Sequence, residues 1–106
     1  MNEHPIICLI TVPNEEKAKA LGRNLVNEKL AACANTVPGL TSIYRWKGEV
    51  CEDREVLLIL KTLQSKFDMI VRQVKLLHEY EVPEIISLPI EDGLEDYLNW
   101  IKESVQ

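Results

Sequence analysis

The chain has 106 residues, room for one hydrophobic core and not for two, so a single domain over residues 1–106 is expected. Apolar residues make up 46% and charged residues 27%, with only four glycines and five prolines, which excludes a disordered or low-complexity chain. A net charge of −5 leaves no basic stripe for a phosphate backbone, and no apolar run approaches the roughly 20 residues of a membrane span, so neither nucleic acid nor membrane is expected as a partner.

Ile6 to Val12 is a continuous, partly β-branched apolar run, the pattern of a strand covered on more than one side and placed centrally in a sheet. Pro13 and Asn14 stop it, and Glu15 and Glu16 put negative charge where a helix N-terminus favours it. Ala18, Leu21, Leu25 and Leu30 supply the inward stripe of that helix; Ala31 to Ala34 then leads into extended chain, with Cys33 expected to be buried.

Val37, Pro38 and Gly39 read as a turn, followed by a strand in which Ser42, Tyr44 and Trp46 alternate with Ile43, Arg45 and Lys47. Lys47 and Gly48 read as a compact hairpin turn, and Val50 to Thr62 as the returning strand. The first half of that strand is polar (Glu52 to Glu55) and only its second half, from Val56 to Leu60, is apolar enough to be buried. A dozen residues at roughly 3.3 Å each reach about 40 Å, well beyond a core whose radius of gyration is near 13 Å. The hairpin therefore outreaches its own core, and Tyr44 and Trp46 at its tip are expected at a contact between subunits.

Ser65, with Asp68 at the capping-box position, predicts a capped helix. Phe67, Ile70, Val71, Val74 and Leu77 face inward along it, and His78 falls on the same side. Pro83 and Glu84 open a fourth strand through Ile85, Ile86, Leu88 and Ile90, with Pro89 marking a sheet edge. Asp92 and Gly93 turn into a last helix with a stripe of Leu94, Tyr97, Leu98, Ile101 and Val105, and Trp100 off it. The order β-α-β-β-α-β plus a terminal helix specifies the α+β class: a ferredoxin-like sandwich with a long hairpin between its second and third strands.

Ligand-type side chains crowd in one place, from His78 through Glu79, Tyr80 and Glu81 to Glu84. From Leu76 to Ile101 there are seven acids and no lysine or arginine, a negative segment beside an imidazole that suits a divalent cation. The competing reading is a helix end before a solvated acidic loop, because the spacing matches no closed metal motif. No glycine loop cradles a phosphate and no nucleophile accompanies His78 and Glu84, so neither an organic cofactor nor an enzyme is expected. Cys8, Cys33 and Cys51 are odd in number and lack a C-x-x-C pair; with no basic leader at Met1 to Pro5, they read as reduced thiols of a cytoplasmic protein.

Thr11-Val12-Pro13, KLAACAN at 29–35, PGLTSIYRWKG at 38–48, HEYEVPEI at 78–85 and YLNWI at 97–101 together resemble the CutA family of divalent-cation tolerance proteins, over nearly the whole chain. The resemblance implies a ferredoxin-like subunit similar to the P-II signalling proteins, assembled as a homotrimer through extended hairpins. It also implies binding of copper or another divalent transition metal, with His78 and Glu84 as the matching ligands. Two positions depart from the pattern: Ile10 stands where the family carries a cysteine, with Cys8 two residues earlier, and Glu79 replaces a proline. The alternative function is a P-II-like regulatory or structural module that binds a small effector or partner protein in clefts between subunits.

Overall fold

A computed structural model describes residues 3–106. It contains β1 (Pro5–Val12), α1 (Glu15–Asn27), β2 (Cys33–Trp46), β3 (Glu49–Leu63), α2 (Phe67–Leu77), β4 (Ile85–Pro89) and α3 (Glu95–Ser104), with a short 3-10 turn at Gln64–Lys66. The sheet order is β2-β3-β1-β4 and every neighbouring pair is antiparallel, so β1 sits inside the sheet while β2 and β4 are its edges. This is the expected α+β, ferredoxin-like arrangement with an added terminal helix.

Local chemistry explains most element ends. Asn14 caps α1, its side-chain oxygen accepting the Lys17 N–H at 2.8 Å, a contact worth about 1 kcal/mol. The hairpin turn holds Lys47 at φ 51° and Gly48 at φ 83° between the paired residues Trp46 and Glu49, the doubly positive geometry of a type I′ turn. Pro38 and Gly39 do not make a turn. β2 runs through them as one strand, with one extra residue between Val37 and Leu40, a bulge in which Gly39 takes φ 83°. Pro38 is tolerated because β2 is an edge. Ser65 does not cap α2 either, since Gln64–Lys66 forms the 3-10 turn that leads into the helix without a side-chain cap. The fourth strand is shorter than its apolar run, starting at Ile85 and closing on Pro89.

α1 and α2 cover one face of the sheet. There Ile6, Cys8, Ile10, Val56, Leu58 and Leu60 pack with Ala18, Leu25, Ile70 and Val74 in the main core. Gly22 lets α1 lie close, since a Cβ there would meet the Ala34 Cβ at 3.0 Å. A smaller cluster of Ala32, Leu63, Ile101 and Val105 seats α3 on the end of the opposite face. Leu94, expected in the α3 stripe, is 74% exposed, because the helix begins only after it. Cys33 is half-buried rather than buried, its Sγ lying 3.5 Å from the Asn35 side chain.

The rest of that opposite face is open. Ile7, Leu9, Leu57 and Ile59 are only half-buried there, and Ile86 and Leu88 on β4 are 48% and 49% exposed. β1 ends at Val12 opposite Val56, so the pairs from Leu40–Glu55 to Trp46–Glu49 form a two-stranded ribbon. The ribbon draws the molecule out to 44 × 25 × 25 Å.

Candidate functional site

α2 stops at Leu77, and His78 turns extended (φ −90°, ψ 139°) while its N–H still donates to Val74 O at 2.7 Å. This places the imidazole against the end of β1, where Nε2 lies 2.7 Å from Thr11 O and Nδ1 accepts the Tyr80 N–H at 3.1 Å. A carbonyl oxygen only accepts, so Nε2 carries the proton and the ring is the neutral tautomer with both nitrogens engaged.

The turn fixed by His78 carries Tyr80 towards the sheet. The two rings stand 4.5 Å apart, and the Tyr80 hydroxyl donates to Glu55 Oε2 at 2.7 Å. Glu55 is 8% exposed, and among the described residues no buried side-chain oxygen or nitrogen is left without a partner. Burial and the Glu55 bond raise the Tyr80 phenol well above its ordinary range. On the ribbon, Tyr44 repeats the arrangement by donating to Asp53; that bond, before other causes, pushes its phenol up to about 12.

Between the ribbon and the segment from Glu79 to Glu84 lies a groove of about 690 Å³. Five carboxylates line it (Asp53, Glu55, Glu79, Glu81 and Glu84), together with the aromatic side chains of Tyr44, Trp46 and Tyr80 and no basic residue. Lys17 reaches Glu79 at 3.3 Å from α1, an exposed pair worth at most about 1 kcal/mol. The groove therefore keeps a strongly negative field.

Glu84, Tyr44 and Trp46 thus meet in one place, on opposite walls of the groove. Glu84 is exposed, and Tyr44 and Trp46 are 40% and 39% exposed. His78 is not a lining residue; it stands behind Tyr80. Cys8 is fully buried in the main core, where burial pushes its thiol up to about 11, and neither it nor Ile10 lines the groove. Among the described residues no three His, Cys, Asp or Glu side chains converge to hold a metal ion. A cation in this groove would be held by carboxylates first, and ligation by His78 requires one of its two hydrogen bonds to open.

Asp53 and Glu55 were not expected in the site. Their signal was the polar half of β3, where Asp53 and Glu55 alternate onto the same face as Leu57 and Ile59.

The comparisons with known proteins agree in one direction. A family model described as CutA1 divalent ion tolerance protein matches residues 6–104. The Divalent-cation tolerance protein CutA of Thermus thermophilus is 55% identical over 98 residues, 92% of this chain and 95% of that protein. A solved structure of the divalent cation tolerance protein from Thermus thermophilus superposes with a TM-score of 0.94 at 53% identity, covering 96% of this chain and 99% of that one. The chloroplastic Protein CutA of Arabidopsis thaliana is 50% identical over 95% of this chain, which spans 56% of that longer protein. On the match to the family model and the extent of these likenesses, the chain belongs to the CutA1 divalent ion tolerance family.

Proposed function

We propose that this chain serves divalent-cation tolerance by binding copper or another divalent transition-metal ion as a homotrimer, with Glu84 and His78 as its ligand pair. The observation that carries the reading is the groove with five carboxylates and no basic lining residue, in a chain of this family. Carboxylates draw in any cation, and an imidazole shifts preference to the late transition metals. Because both ring nitrogens of His78 are hydrogen-bonded inside the chain, metal ligation frees Nδ1 from the Tyr80 N–H and moves the 78–80 turn.

The assembly follows from the open sheet face. Ile7, Leu9, Leu57, Ile59, Ile86 and Leu88 form an apolar surface that a second and third copy would cover, and the ribbon with Tyr44 and Trp46 extends beyond the single chain's core. One domain, non-catalytic and working in the cytoplasm with free Cys8, Cys33 and Cys51, completes the reading.

The second reading, an effector-binding module of P-II type, is favoured by the satisfied hydrogen bonds of His78 and the absence, among the described residues, of three converging ligands. Calorimetric titration with copper(II) separates the two. Under the first reading both Glu84→Gln and His78→Ala weaken binding severalfold, and His4→Gln, which removes the histidine before β1, leaves it intact. Binding that survives both site changes and disappears with His4→Gln would favour the second.

A further inference from the structure

We infer that Tyr80 is a clasp that holds the turn at His78 closed against metal, so that removing its hydroxyl tightens metal binding rather than weakening it. The inference rests on the reading of His78 and Glu84 as a ligand pair and adds a regulation of that site.

Tyr80 is tied at both ends. Its backbone N–H occupies His78 Nδ1 at 3.1 Å, its ring stands 4.5 Å from the imidazole, and its hydroxyl donates to Glu55 Oε2 at 2.7 Å. Glu55 is 8% exposed on β3, and the next residue, Val56, belongs to the main core. A hydrogen bond to an ionised group is the stronger kind, and burial keeps water from replacing it. This bond therefore anchors the turn that covers the imidazole.

Nδ1 is the easier nitrogen to free. Nε2 faces the carbonyl of Thr11, a residue 8% exposed at the end of β1, so the strand closes that side of the ring. A metal–nitrogen bond of about 2.1 Å leaves no room for an N–H on the same lone pair, so ligation through Nδ1 displaces the Tyr80 backbone. With the hydroxyl anchored to Glu55, that displacement also breaks the Tyr80–Glu55 bond, whose cost is subtracted from the affinity of the site. A chain that starts without the bond populates the open turn more and binds the ion more tightly. These groups all belong to one chain, so the clasp does not depend on how copies assemble.

The test is copper(II) titration of Tyr80→Phe, which keeps the ring and the backbone N–H and removes only the bond to Glu55. Its affinity is expected to rise about tenfold over wild type, the release of one hydrogen bond to a buried charge. Copper is also expected to raise its melting temperature by more than it raises that of wild type. In a Glu55→Gln background the same change is expected to have a much smaller effect, because the neutral bond removed there is the weaker kind. Unchanged affinity in Tyr80→Phe would make Tyr80 a structural residue, weaker binding would make its phenol a ligand, and an equal gain in both backgrounds would deny that Glu55 is the anchor; each overturns the clasp. Glu84→Gln and His78→Ala, titrated alongside, read the ligand pair by itself. If they weaken copper binding while Tyr80→Phe does not tighten it, the clasp alone fails; if neither weakens it, the ligand pair fails and the clasp with it.

Discussion

His78 ties the end of α2 to the end of β1, so a metal ion that takes its imidazole has to open one side of that tie. Its place at the end of α2 follows from helical spacing, but its two partners, Thr11 O and Tyr80 N–H, come from an adjoining strand end and its own turn. Glu55 was less legible, because a charge in the polar half of a strand reads as solvated until Tyr80 is folded over it. Tyr80→Phe leaves that buried carboxylate without its donor, so urea denaturation is expected to show a loss of about 1–3 kcal/mol. Tyr44 gives a pH signature of definite sign. Its phenol is raised from 10.0 to about 12, so the neutral donor is favoured by the fold. That contribution is complete below pH 10 and fades as pH rises through about 12. Alkaline stability measurements are expected to show a smaller decline in Tyr44→Phe than in wild type, the remainder belonging to Tyr80, Tyr97 and Cys8, whose protonated forms the fold also favours.

Most elements were readable because their apolar periods and caps agree: β1 from its run, α1 from Asn14 and its stripe, the hairpin turn from Lys47 and Gly48. Pro38 and Gly39 misled because proline and glycine mark both turns and edge-strand bulges, and only pairing with β3 decides between them. The same pairing constrains α1. Helix propensity alone says that Gly22→Ala stabilises by up to about 1 kcal/mol. The new methyl would meet the Ala34 Cβ at 3.0 Å, so overpacking wins. A net loss of about 1–2 kcal/mol is expected in thermal unfolding. In the turn the balance is reversed: Lys47 holds a positive φ that asparagine adopts more readily, so Lys47→Asn is expected to raise the melting temperature by a few degrees.

At the scale of the whole molecule, α1 and α2 cover one side of the sheet and α3 covers only the end of the other, which leaves an apolar surface between the edge strands β2 and β4. Sequence alternation did not disclose that side, since Ile7 and Leu9 extend β1 into a continuous apolar run that reads as burial on both faces within one chain. Leu88→Glu introduces charge on that face at a half-exposed position, so it is expected to yield a folded monomer by sedimentation. Assembly and cation binding stand or fall together in the proposed function, and native mass spectrometry of the wild-type protein with added copper(II) reads both at once. The predicted result is a mass of three chains carrying one metal ion each, with lower metal occupancy in Glu84→Gln at limiting copper. A monomer, or a trimer that takes up no copper, would contradict it.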